Sequence, residues 1–159
     1  MEEISSEEKE LTKLSDCEVK YLMAIFELEQ DNALVRVGEL SRRLSLSLPT
    51  ISIMVKKLEK RGLVRKMKRG YVKLSAKGRK LVLVIIKAHG IIEHLLVKSG
   101  LSPDEACCIA SMIHHRVPFS ILLILWRRMG KPNSCPHGIP IILEKSRKPI
   151  ICNRCEKSL

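Results

Sequence analysis

Aromatic side chains are scarce in this sequence: one Trp, two Tyr and two Phe among 159 residues, or 3%. That argues against a base-stacking sheet or an oligonucleotide-binding barrel, whose affinity rests on rings. The apolar mass, 45% of the chain, is mostly Ile, Leu and Val and suits packed helices. Long hydrophobic runs are also missing. The longest, "VPFSILLILW" (Val117–Trp126), is too short to span a bilayer and reads as a buried helix, so no membrane partner is expected. A basic-then-apolar leader is absent too, because residues 1–20 carry seven acids against three bases. A cytoplasmic location follows as an expectation, and with it six cysteines read as thiols or metal ligands rather than disulfides. The histidines lack a nearby pair of carboxylates or an activated nucleophile, so the sequence is not read as an enzyme.

Acids are rarest where bases are densest. Between Arg42 and Lys80 stand 14 Lys or Arg residues and a single acid, Glu59, within a chain of net charge +12. Such a block points to a polyanion, and double-stranded DNA is the expected partner. The same stretch has the periodicity to present it. "SDCE" (Ser15–Glu18) has the spacing of a capping box and opens a helix that ends near Asp31 and Asn32. In "VRVGELSRRLSLSLPTISIMVKKLEKRGLV", Val37, Leu40 and Leu44 form one short apolar stripe, and Ile51, Val55 and Leu58 a second. Ser45–Leu48 leaves room only for a tight turn, Ser47 can cap the second helix, and Pro49 is tolerated in its first turn.

Two short amphipathic helices joined in this way make a helix-turn-helix. Ser47, Pro49, Thr50, Ile53, Lys56 and Lys57 face away from the apolar stripe and become candidate DNA-binding residues. "LVRKMKRGYVKLS" then alternates through Val64 and Met67, turns at Arg69-Gly70, and returns from Tyr71 to Leu74 as a β-hairpin. The sum is a winged helix. Its recognition helix would enter the major groove, with Lys66, Lys68, Arg69 and Lys73 reaching phosphates or the minor groove.

A long helix is expected from about Ala76 to Lys98, and "SPDE" (Ser102–Glu105) supplies another capping box with Pro103 at the first helical position. Pro118 starts a last helix that Gly130 stops. A helix apolar all round needs cover on more than one side, so this region is the expected homodimer interface. The tail "CPHGIPIILEKSRKPIICNRC" pairs Cys135 and His137 with Cys152 and Cys155 across a gap of 14 residues. Four such ligands suffice for tetrahedral structural Zn²⁺, and metal would supply the folding free energy of a segment with few apolar residues.

These residues together resemble the iron- and manganese-dependent repressors of the diphtheria toxin repressor family. The resemblance runs from about Tyr21 to Ile141 and is carried by "VRVGELSRRLSLSLPTISIMVKKLEKRGLV", "RGYVKLSAKGRKL", "HGIIEHLL", the pair His114-His115 and "CPHGIPI". It implies a homodimeric winged-helix repressor that grips a palindromic operator when Mn²⁺ or Fe²⁺ is bound. Ser47, Pro49 and Thr50 match family DNA contacts, while Ile53 stands where the family can place Gln. His89, Glu93 and His114 match ligands of the regulatory metal. Lys20, Met23, Ala110 and Ile113 stand where the family has further ligands, which leaves metal regulation doubtful. The alternatives are a metal-independent or redox-responsive winged-helix regulator and a non-specific architectural DNA-binding protein. The expected fold is mainly α with a small β-hairpin. Residues 1–75 would form the winged-helix DNA-binding domain, 76–130 the helical dimerisation and regulatory metal domain, and 131–159 the zinc-binding tail.

Overall fold

The computed structural model describes residues 6–141. They fall into two compact units: Leu14–Val82, and a second that joins residues up to 13 with those from 83 onwards. The elements run α1 (Ser6–Glu10), α2 (Asp16–Asp31), β1 (Val35–Arg36), α3 (Val37–Leu44), α4 (Leu48–Lys60), β2 (Val64–Met67), β3 (Tyr71–Leu74), α5 (Ala76–Lys98), α6 (Pro103–Ile113) and α7 (Phe119–Arg128). The mainly helical class agrees with the sequence reading. The sheet, however, has three strands in the order β1-β3-β2 where a two-stranded hairpin was expected. β1 is only two residues long, too short for any alternation of side chains to show.

In the first unit, α2 begins at the expected capping box. Glu18 N–H donates to Ser15 Oγ at 3.3 Å, and Ser15 N–H donates to the Glu18 carboxylate at 2.9 Å. Between α3 and α4 the chain turns through Ser45, whose φ is +54°, and Leu46 N–H donates back to Ser41 O. Ser47 then caps α4, accepting the Thr50 N–H at 3.3 Å, with Pro49 in the first turn. Leu40 and Leu44 of α3 and Ile51, Val55 and Leu58 of α4 are buried together with Val19, Leu22, Ile25 and Phe26 of α2. Each such side chain contributes about 1.5–3 kcal/mol by leaving water. β2 and β3 pair antiparallel, with Val64 opposite Leu74 and Met67 opposite Tyr71. Arg69 and Gly70 turn the hairpin at φ +59° and +74°, the positive-φ region a tight hairpin turn draws on.

A clasp joins the end of α4 to the start of α5. Ser75 N–H donates to Leu63 O at 3.0 Å, Ser75 Oγ donates to Gly62 O at 2.6 Å, and the same oxygen accepts the Gly78 N–H at 2.9 Å. The backbones approach so closely that a Cβ on Gly78 would lie 1.9 Å from Leu63 O. Glycine is required there for space, not for a special dihedral angle.

In the second unit, Ser102 caps α6 by a full capping box with Glu105, and Pro103 takes the first helical position. α7 is held against α5 by Lys87, whose Nζ lies 5.3 Å from the Phe119 ring centre and 5.8 Å from that of Trp126. Trp126 Nε1 donates to Pro132 O at 3.0 Å and so anchors the chain beyond the helix. Residues 133–141 then fold into a small hairpin. Cys135 N–H donates to Ile139 O, Gly138 N–H to Cys135 O and Ile141 N–H to Asn133 O.

Candidate nucleic-acid interface and metal centre

α4 turns Pro49, Thr50, Ile53, Lys56 and Lys57 outward, at spacings of one, four, seven and eight residues from the first, and all five are exposed. Ser47 and Leu48 at its start are exposed as well. On the wing, Lys66, Lys68 and Arg69 are exposed and Lys73 is half-buried. The sole acid of the basic block is engaged internally, since Glu59 accepts the Lys66 N–H at 3.0 Å. Each candidate contact proposed from sequence therefore lies on the outward side of α4 or on the wing.

Two side chains set the pose of this face: Glu29, which the sequence did not single out, and Glu18, read there only as a cap. Glu29 accepts the Leu74 N–H at 2.6 Å and pairs with Arg79, tying α2 to β3 and to the first turn of α5. Glu18 does more than cap α2: it pairs with Arg61 at 2.7 Å and with Lys57 at 3.3 Å, while being only 2% exposed. Burial alone would raise its carboxyl. The Ser15 N–H, the Arg61 guanidinium and the Ser15 hydroxyl outweigh that and bring it from 4.5 down to about 2. A carboxyl depressed by folding contributes stability that is fully present above its unfolded value and is lost as pH falls through its folded value. The melting temperature should therefore fall between pH 4.5 and about 2 more steeply in the wild type than in Glu18→Gln. Parallel melting curves for the two proteins across that window would refute the assignment.

In the second unit the structure brings together Glu93, Cys135 and His137, whose ligand atoms all lie within 4.8 Å of one another. Glu93 projects from α5, and the other two sit on the small hairpin of residues 133–141. Glu93 is fully buried, and its carboxylate lies 2.5 Å from His137 Nδ1 and 3.5 Å from His89 Nε2. His137 Nε2 is 3.3 Å from Asp104 Oδ1 on the first turn of α6. Burial pushes the Cys135 thiol up to about 12, with the neighbouring Glu93 charge adding to the effect. Burial also raises Glu93, but hydrogen bonds from His89 and Cys135 and the adjacent imidazoles leave its carboxyl below the ordinary value. Ligands of a tetrahedral zinc site, at about 2.0–2.3 Å from the ion, lie about 3.5 Å apart, so small shifts of this set, with the Glu93–His137 contact opening, would accommodate one.

This grouping crosses the two sets read from sequence. The sequence pairs Cys135 and His137 with Cys152 and Cys155, which lie outside the described residues. It groups Glu93 with His89 and His114. The His114 ring centre lies 5.7 Å from that of His89, and His89 Nε2 is 3.6 Å from Cys107 Sγ. The feature that joins the hairpin to α5 is Gly90. A Cβ there would lie 3.0 Å from Ile141 Cγ1 and 3.5 Å from Cys135 Cβ. Glycine in a helix interior costs about 0.8–1.0 kcal/mol relative to alanine. Here it lets the Ile141 and Cys135 side chains settle one turn from Glu93. "HGIIE" followed by "CPHG" was the available signal, with the glycine as the sign of close approach.

The architecture defines a winged helix-turn-helix protein carrying a separate helical unit. Residues 13–75 match the family model described as "Iron dependent repressor, N-terminal DNA binding domain", and residues 75–143 match "Iron dependent repressor, metal binding and dimerisation domain". The chain belongs to the iron-dependent repressor family, in which the diphtheria toxin repressors stand. The "Iron-dependent repressor IdeR" of Mycobacterium tuberculosis is 30% identical over 132 residues, which are 82% of this chain and 57% of that protein. This chain thus spans little more than half the length of that relative. Among solved structures, a hypothetical protein of Sulfolobus solfataricus superposes with a TM-score of 0.75 at 32% identity, covering 82% of this chain and 100% of its own. ScaR with bound Zn²⁺ superposes with a TM-score of 0.68 at 28% identity, covering 78% of this chain and 58% of that one.

Proposed function

We propose that this chain is a DNA-binding transcriptional repressor that occupies a palindromic operator as a homodimer and answers to a divalent metal held by Glu93, Cys135 and His137. The observation that carries the reading is this buried carboxylate–thiol–imidazole set in a chain whose other unit presents a basic recognition helix and wing. A thiolate beside an imidazole and a carboxylate suits Zn²⁺ or Fe²⁺ better than Mn²⁺, which prefers oxygen ligands. The bound ion would supply positive charge between two acidic ligands and tie α5 to the hairpin of residues 133–141. His89 adjoins the set, and Asp104 orients the His137 ring from its far side.

Dimerisation is supported by apolar side chains left exposed in pairs three residues apart: Ile109 and Met112 on α6, and Ile121 and Ile124 on α7. A two-fold dimer would place one copy of α4 in each half-site, about 10 base pairs apart centre to centre. Its place would be with the DNA, in the cytoplasm, and among the described residues no helix is long and apolar enough to cross a membrane.

The test is the affinity of the full chain for a duplex from its own promoter after mild chelation, then with Zn²⁺, Fe²⁺ or Mn²⁺ restored. At least a tenfold tightening, about 1.4 kcal/mol, is expected with one of the ions. Tight, specific binding that none of the three alters would leave a repressor that does not sense metal. Replacing Gly90 by leucine should weaken the metal response by lifting Cys135 away from α5, with the helical content of the chain retained.

A further inference from the structure

Ile53 is 70% exposed on α4, the largest exposure of any bulky apolar side chain among the described residues. Isoleucine has a lower helix propensity than the lysines, glutamine or alanine that fill helix surfaces without cost. At this position it also buries little against its own chain, so the fold does not explain its presence. The surroundings do constrain what it touches. Lys56, Lys57 and Lys60 follow it on the exposed side of the same helix, and Thr50, one turn before it, has its hydroxyl 2.8 Å from that of Ser47. An apolar tip framed by ammonium groups is complementary to a surface with anionic walls and an apolar point on its floor.

The major groove has such a point in the C5-methyl of thymine, the one apolar group that a base pair displays there. A branched hydrocarbon can neither donate to nor accept from the polar edges of guanine, adenine or cytosine. It would leave the cytosine amino group without a partner, whereas against thymine it removes a methyl from water. We propose that Ile53 is a specificity-determining residue that reads one thymine methyl in each operator half-site. The inference rests on the DNA-binding reading given above and adds to it the base that this position selects.

The experiment starts with selection of duplexes from a random pool by the full chain, in the metal condition that binds most tightly. A pool that enriches no sequence would sink operator recognition itself, apart from any role of Ile53. With an enriched palindrome in hand, each thymine is replaced singly by uracil, which removes only the methyl and keeps the pairing. One thymine in each half-site should then lose about fourfold in affinity, the factor for one CH₂-sized group at about 0.8 kcal/mol, and both together about tenfold or more. Ile53→Ala should bind more weakly than wild type and should no longer distinguish thymine from uracil at that position, with a melting temperature matching the wild type. Uracil tolerated at every position, or a thymine preference that survives in Ile53→Ala, overturns the proposal. So does a loss of dimer in Ile53→Ala, which would make this side chain a contact between protein chains instead.

Discussion

Gly78→Ala is expected to destabilise the DNA-binding unit by about 3 kcal/mol or more, a loss at the upper end for an overpacked site. For a chain of this size that is about 6–12 °C in melting temperature. On helix propensity alone the sign would be the reverse, because alanine in a helix gains about 0.8–1.0 kcal/mol over glycine. Space decides the matter. The added Cβ would lie 1.9 Å from Leu63 O and 2.9 Å from Leu63 C. That carbonyl cannot swing aside while it accepts the Ser75 N–H, and Ser75 in turn holds Gly62 O. Gly38 is the internal control. It lies in α3 with nothing within 4 Å of its Cβ position, so Gly38→Ala should stabilise by about 0.5–1 kcal/mol. Thermal melts followed by circular dichroism should thus move in opposite directions for two identical substitutions. Shifts of the same sign would refute the close approach at Leu63.

The second large effect is on metal affinity. Residues that only hold a metal ligand in place cost about 10–100-fold when lost, so Glu93→Gln and His137→Ala, as direct ligands, should each weaken binding by about 100-fold or more. Asp104→Asn, which removes the charge beside His137 Nε2, should cost about tenfold. Isothermal titration of the full chain with Zn²⁺ would rank the three. The two groupings read from sequence make a different forecast, in which Cys152→Ser combined with Cys155→Ser abolishes a zinc site at Cys135 and His137, while Glu93→Gln weakens only a second site with His89 and His114. The set of Glu93, Cys135 and His137 instead makes Glu93→Gln and His137→Ala weaken one and the same site.

What the sequence disclosed and what it concealed divide along the range of the interactions. The caps of α2, α4 and α6 lie within three residues of the N–H groups they satisfy, and Ser15, Ser47 and Ser102 could be read directly. The same holds for the stripe of Ile51, Val55 and Leu58, set by the period of one helix, and for the turn at Arg69-Gly70. β1 escaped notice because two residues carry no period. The start of α3 escaped because its box is built on Arg36, whose backbone N–H donates to Glu39 at 2.8 Å without a capping side chain of the usual type. The approach of His137 to Glu93 spans 44 residues and depends on the absence of a side chain at Gly90. No local pattern reports such a contact. Motifs alone joined Cys135 to the next cysteine pair along the chain.

On the proposed DNA face, Lys57 already has an anion beside it. Most exposed lysines on a nucleic-acid face shed condensed cations from the duplex when they meet a phosphate, and each steepens the salt dependence of binding by close to one unit. To contact a phosphate, Lys57 would first exchange the Glu18 carboxylate for it, so part of its electrostatic gain would be cancelled within the protein. Arg61, 2.7 Å from the same carboxylate, would keep that buried charge compensated during the exchange. The logarithmic salt slope of operator binding should therefore count fewer ions than there are lysines on the face, and Glu18→Gln should steepen it. Through this exchange, a buried carboxylate would set how strongly the protein's grip on DNA depends on the ionic strength around it.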